Sequence, residues 1–301
     1  MTHNIEKLRA FAEDLVSAGA AHAMGLWARA ASTDIRPTGS TMGSSTDYAT
    51  ATNRKSDEAI RTRVAIMRPD DTVFSEQESD RQPKPGQVQW VADPISGTTN
   101  FRYGIPIVAV SVAARVDGVT LAGAVAEPAT GRLWSGGLGE GARLHDPRVS
   151  DGWLDIHASS TREISQVLLA TGFSDNARQR TAQAAVLGRV IGQINDVRRI
   201  GSAALDLCWV AAGAVDAFVE HHLNLWDWAA GALIAEEAGA VVHPPGTAGP
   251  AARLGDPVFA AAPGIATDLV DLLAASGAKS LRADHDELVR SLPSGRPPRN
   301  A

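Results

Sequence analysis

The chain has 301 residues, 44% of them hydrophobic, enough for one large domain or for two lobes sharing a core. A net charge of -6 without any block of lysine and arginine argues against nucleic acid or an anionic membrane as the main partner, leaving a small molecule. A single cysteine, Cys208, excludes an internal disulfide and a cysteine-based zinc site; with no signal-like opening and no apolar run of about 18 residues, the expected compartment is the cytoplasm.

Residues 4–31 place Ile5, Leu8, Phe11, Leu15 and Ala18 at helical spacing, which predicts an amphipathic first helix. "RPTGSTMGSSTDY" (36–48) has no periodicity and reads as a mobile loop with the reach of a lid. "SDEAIRTRVAIM" returns to helix and stops at Pro69. Short strands are expected at Thr72–Ser75 and in "QVQWVADP", each followed by an acid, then in "IPIVAVSVAARV" and "TLAGAVAEPATGRLWSGG". Residues 139–156 read as a Gly/Asp/Pro-rich connection. Beyond it strands and helices alternate: strand "SQVLLATGF", helix "NARQRTAQAAVLGRVIGQI", strand "DVRRIGS", helix "SAALDLCWVAAG", strand "VDAFVEHH" and helix "LWDWAAGALIAEEAG". The last pair is a strand and helix within "DPVFAAAPGIATDLVDLLAAS". This order predicts an α/β protein of two lobes around one site: residues 1–150, residues 151–276, and a polar tail at 277–301 expected to be disordered.

Three acids fall at predicted element ends: Glu76 in "SEQE", Asp93 in "ADPISGTT" and Asp227 in "LWDWAAG". Hard cations such as Mg²⁺ take oxygen ligands, commonly one or two carboxylates plus substrate phosphate. Taken singly, each acid is more simply a helix cap or a solvated loop residue. The "GTTN" turn adds a phosphate seat built from backbone N–H groups, with an ordinary helix start capped by Thr98 or Thr99 as the equal alternative. His221 and His222, adjacent on a strand, should point to opposite faces, so a joint metal site is not expected and one of them is left to face the pocket beside Glu220. Arg102 and Tyr103 suit substrate contact or surface packing equally. Trp226 and Trp228 suit core and pocket wall, Cys208 a buried spacer, and Glu236 and Glu237 a helix surface.

"WVADPISGTTNF", "VRRIGSAALDLCWVAAG" and "FVEHHLNLWDWAAGALIAEEAGAVV" together resemble the inositol monophosphatase family, in its bacterial branch, whose usual forms read D-P-x-D-G-T-x-N-F and W-D-x-A-A-G. The resemblance is colinear over roughly residues 5–275. It implies a layered α-β-α-β-α sandwich, a homodimer, and hydrolysis of phosphate monoesters with two or three Mg²⁺ ions, inhibitable by lithium. Residue by residue, it implies that Glu76, Asp93 and the Ile95 carbonyl hold a first metal and that Asp93 and Asp227 serve a second. Thr98, with Glu76, would position the attacking water, and the N–H groups of Gly97 and Thr98 would hold phosphate oxygens. Gly201, Ser202, Ala203 and Glu220 would line the alcohol side, with Glu220 accepting a polyol hydroxyl.

Against that pattern Ser96 stands where the family has a second-metal aspartate, Asn53 where it has the aspartate behind the threonine, and Gln77 where it commonly has a second glutamate. Up to three negative charges are missing from a site that attracts cations. The expectation is a Mg²⁺-dependent phosphatase of a small polyol or sugar-type phosphate, with its first metal site kept and its second weak or absent. The rivals are a pocket turned to other chemistry (lyase, isomerase or cyclase) and a non-catalytic pseudophosphatase.

Overall fold

The computed structural model describes residues 3–32, 42–78, 82–246 and 256–279, side chains 24–50 excepted. Five layers alternate. The first is α1 (Ile5–Ser32) with α2 (Met42–Met67). The second is a seven-stranded sheet in sequence order: β1 (Thr72–Ser75), β2 (Val88–Ser96), β3 (Ala109–Val116), β4 (Val119–Glu127), β5 (Arg132–Gly137), β6 (Gly141–His145) and β7 (Trp153–Asp155). It is antiparallel except for the β1–β2 pair. A short helix, α3 (Thr98–Tyr103), follows β2.

The middle layer is α5 (Ala203–Ala211) with α6 (Leu225–Glu237). The fourth is a five-stranded sheet, in which β8 (Leu168–Thr171), β9 (Asp196–Arg198), β10 (Ala217–Glu220), β11 (Val241–His243) and β12 (Val258–Ala261) run in the order β11-β12-β10-β8-β9. The outermost layer is α4 (Ala177–Val190) with α7 (Ala266–Ala275).

The period of two along each strand sorts side chains between layers. Trp90 and Ala92 of β2 face α1 and α2, joining Leu8, Leu15 and Ile60, while Val91 faces the middle layer. On the other sheet, Phe218, Val258 and Ala260 face the middle helices, and Val219, Phe259 and Ala261 face α4 and α7. Helices held between two sheets need small residues on both sides. A Cβ on Gly123 of β4 would come within 2.9 Å of the Ala230 Cα, and one on Gly231 of α6 within 2.8 Å of the Leu207 Cβ. This close approach accounts for the Ala- and Gly-rich composition around "WDWAAGALIAEEAG".

The layered α/β architecture is the expected one, and most elements lie where periodicity placed them. Two expectations change. Residues 42–48 are the start of α2 rather than loop, the Gly, Ser and Thr of this stretch concealing the helix through their weak propensity; residues 33–41 lie outside the described residues. The connection expected at 139–156 contains β6 and β7, so the first sheet runs on to Asp155. Both strands are short, and β7 is exposed along its length, so neither carries an apolar alternation; Arg143 lies 4.2 Å above the Trp153 ring and pairs with Glu13 at 2.7 Å. Of the tail, 277–279 form a turn and 280–301 lie outside the described residues.

Candidate active site

The strand that carries Asp93 explains how the site is aimed. With Trp90 and Ala92 turned outward, Asp93 turns toward α6 and is 3% exposed, its Oδ1 accepting from the Ile95 N–H at 3.1 Å. The pairing of β2 with β3 shifts register between Asp93 and Ser96, which bends the chain into the loop. Gly97 follows with φ +93°, and a Cβ there would stand 3.0 Å from the Ile107 carbonyl and 3.2 Å from that of Gly201. Only glycine fits both the conformation and the space. Gly97 is the N-cap of α3, so neither Thr98 nor Thr99 caps it, and the first N–H groups of that helix have no intrahelical acceptor.

Asn100 ties this loop to the other sheet. Its Nδ2 donates to the carbonyls of Ile107 at 2.8 Å and Ile200 at 2.7 Å, beside Gly201, whose φ is also +93°. Ser202 caps α5, accepting from the Leu205 N–H, and its hydroxyl donates to Ser96 Oγ at 2.8 Å. Glu76 follows β1, its N–H donating to the Ala92 carbonyl at 3.4 Å, and its Oε2 accepts from Asn53 Nδ2 at 2.9 Å. Asp227 sits in the first turn of α6, where its Oδ2 accepts from the Asn224 N–H at 2.7 Å.

These elements enclose a cavity of about 350 Å³. Glu76, Asp93, Ile95, Ser96, Gly97, Thr98, Gly201, Ser202, Ala203, Glu220 and Asp227 all line it, so every residue assigned to metal, phosphate or substrate from the sequence meets in one place. Two of the three neutral replacements belong to this site: Ser96 in the wall and Asn53 behind Glu76. Gln77 does not; it faces a separate cleft with Arg54, Asp57 and Arg61, because consecutive residues after β1 diverge.

The wall also contains residues the sequence reading did not assign. Arg199 is the only lysine or arginine lining the cavity among the described residues. His221 and His222 both line it, against the expectation of opposite faces: β10 ends at Glu220 and His222 has φ +65°, so strand alternation no longer applies. Tyr103 is 61% exposed and, like Arg102, is not part of the wall. Trp226 and Trp228 pack against the core, Trp226 with its ring 5.4 Å from that of Phe74, and neither reaches the cavity. Cys208 is buried in the middle layer. Glu236 is exposed, whereas Glu237 accepts from the N–H groups of Gly139 and Gly141, both at 2.8 Å, and so anchors the β5–β6 turn.

Asp93, Asp227 and Glu76 repel one another. Burial, then the charges of Asp227 and Glu76, hold the Asp93 carboxyl well above the usual carboxylate range; burial, together with Glu76, pushes Asp227 up to about 6. A divalent cation would relieve that repulsion, and the donors are the hard oxygens Mg²⁺ prefers, so the residues present fit the ion. No group of three or more His, Cys, Asp or Glu side chains among the described residues closes around a single point, so water and phosphate oxygens would complete the coordination.

Across the cavity burial raises Glu220 to about 7, opposed by Arg199 and assisted by the charges of Asp227 and Asp175. A carboxylate raised in the fold is easily kept protonated at low pH and becomes a penalty as pH climbs from its ordinary range through about 7. Without metal, Glu220→Gln should therefore match the wild type near pH 5 and exceed it near pH 8 by on the order of 3 kcal/mol. Urea unfolding in chelator at both pH values checks this, and a constant difference would contradict it.

Residues 4–278 match the family model described as the inositol monophosphatase family. Inositol-1-monophosphatase of Mycobacterium leprae is 45% identical over 276 residues, covering 89% of this chain and 94% of that protein. The Nus factor SuhB of Escherichia coli is 37% identical over 66% of this chain and 72% of its own length. Among solved structures, Mycobacterium tuberculosis SuhB superposes with a TM-score of 0.78 at 40% identity, covering 92% of this chain and all of that one. With its layers, its phosphate-type loop and its acids arranged in this way, the chain belongs to the inositol monophosphatase family.

Proposed function

We propose that this protein is a Mg²⁺-dependent phosphatase of a small polyol or sugar-type phosphate monoester, with an intact first metal site and a second that is weak or empty near physiological Mg²⁺. The observation that carries the reading is the convergence of Glu76, Asp93 and Asp227 beside the Gly97–Thr98 loop, with Ser96 in place of an acid. Mg²⁺ bound by Glu76, Asp93 and the Ile95 carbonyl would polarise the phosphate and make bound water more acidic. The chain's own groups do the rest. Glu76, held by the Asn53 amide, and the Thr98 hydroxyl orient the attacking water; the N–H groups of Gly97 and Thr98 carry developing charge on phosphate oxygens. Glu220 accepts a hydroxyl of the alcohol portion. For a second ion only the shared Asp93 and Asp227 remain, since the Ser96 hydroxyl is neutral and already accepts from Ser202.

The proposal includes a cytoplasmic homodimer and two lobes, one built on each sheet. No helix among the described residues is long and apolar enough to cross a membrane. Phosphate release from a panel of inositol, sugar and nucleotide monophosphates tests the reading and ranks substrates.

A second reading is favoured by the same hydroxyl pair. Ser96 accepts from the Ser202 hydroxyl and hydrogen-bonds the Asp93 carboxyl without an ion, as expected of a site that has given up hydrolysis for another reaction or for binding alone. Some relatives carry the name Nus factor rather than that of a phosphatase. Absence of phosphate release together with a co-purifying organic ligand favours a non-hydrolytic enzyme; absence of both, with a stable protein partner, favours a binding protein.

A further inference from the structure

Glu220 occupies its place only because residue 172 has no side chain. The strands β8 and β10 run parallel with Thr171 opposite Val219, and Thr171 Oγ1 donates to the Val219 carbonyl at 2.8 Å, which fixes the two strand ends side by side. The next residue on each is Gly172 and Glu220. A Cβ on Gly172 would stand 2.0 Å from the Glu220 Cδ, 2.0 Å from Oε2 and 2.1 Å from Oε1. The Glu220 carboxyl therefore fills the volume a side chain at 172 would take. Gly172 is not among the glycines with positive φ, so its backbone does not itself demand glycine. The three atoms nearest to that position all belong to the Glu220 carboxyl, the free end of a flexible side chain.

We propose that Gly172 is a positioning residue for the alcohol side of the pocket: the missing Cβ lets Glu220 lie across the strand end and present its carboxyl to a hydroxyl of a polyol phosphate. Phe173, Ser174 and Asp175, which follow directly, continue the same wall. The hydroxyl-bearing ligand rests on the proposed function; the dependence of Glu220 on Gly172 does not. A methyl group at 172 pushes the carboxyl, the free end of a flexible side chain, out of its seat, while the fold can remain intact.

The test is a cycle of Gly172→Ala, Glu220→Ala and the double variant. With inositol 1-phosphate as substrate at pH 8, where Glu220 is ionised, Gly172→Ala should raise KM about tenfold or more, as expected for losing a hydrogen bond to a charged acceptor, and leave kcat within about threefold. The loss should be several-fold smaller with phenyl phosphate, whose alcohol portion offers no hydroxyl. In the Glu220→Ala background the same substitution should change KM less than about twofold, because the methyl enters vacated space.

Equal losses in both backgrounds, or equal losses with both substrates, would overturn the proposal. So would a double variant that fails to fold, since the backbone rather than Glu220 would then require glycine. If the wild type releases no phosphate, the functional reading fails, and thermal unfolding in chelator still decides the role of Gly172. Gly172→Ala should erase the Glu220 contribution to pH dependence between about pH 5 and pH 8, as Glu220→Gln does; an unchanged profile would refute it.

Discussion

Replacing Asp93 by asparagine is expected to lower phosphate monoester hydrolysis by about 10³-fold or more while making the metal-free protein more stable at neutral pH. The two effects have one cause. Asp93 is 3% exposed and lies within the fields of Asp227 and Glu76, so without an ion its charge is a liability: burial and both neighbours hold its carboxyl well above the usual carboxylate range. An amide keeps the shape and the contact with the Ile95 N–H through its carbonyl, and it removes the liability. It also removes the charge that would balance Mg²⁺. Wild-type thermal stability should therefore rise with added Mg²⁺, an ion that binds only the folded chain, and the variant's should not. Melting curves in chelator and in excess Mg²⁺, beside turnover, measure both effects. Lower stability of Asp93→Asn in chelator, or full retention of activity, would contradict the assignment.

Ser96→Asp is the converse experiment and should be a gain of function. The new carboxylate would stand beside Asp93 and opposite Asp227, completing an acid set for a second ion. The expected result is Mg²⁺ binding tightened by about 10 to 100-fold, at the scale known for changes around metal ligands, with faster hydrolysis. The accompanying cost should appear only without metal. Ser96 is 5% exposed; a carboxylate there can still accept from the Ser202 hydroxyl, but it adds a further buried charge beside acids that already repel one another, destabilising the chelated protein by on the order of 3 kcal/mol. Added Mg²⁺ should restore it. Calorimetric titration of Mg²⁺ into both proteins gives the comparison, and equal affinities would show that Ser96 does not stand at a metal position.

How much of this was legible in the sequence follows from which signals are local. Asp93, Gly97 and Thr98 lie in one short motif whose chemistry, a carboxylate followed by a turn with free N–H groups, is readable in place, and Asp227 stands in another. That Gln77 leaves the site while Asn53 supports it was not readable, because it depends on where side chains point after β1 ends. That both histidines line the cavity was not readable for a related reason: alternation holds only inside a strand, and β10 ends at Glu220. Arg199 carried no local signature, and its place in the wall comes from β9 lying at the edge of the second sheet. The role of Gly172 needed strand register, which no single segment encodes. Among elements, those with a buried face and a clear period, such as α1 and β2, were evident, while the short exposed β7 was not.

The most direct measurement is phosphate release by the wild-type protein across a Mg²⁺ titration, using the most readily hydrolysed member of the monophosphate panel. The account predicts hydrolysis that needs Mg²⁺, is still rising in the millimolar range expected of a weak second site (about 1 mM and above) and disappears in Asp93→Asn. No phosphate release from any member of the panel at any Mg²⁺ concentration would contradict it.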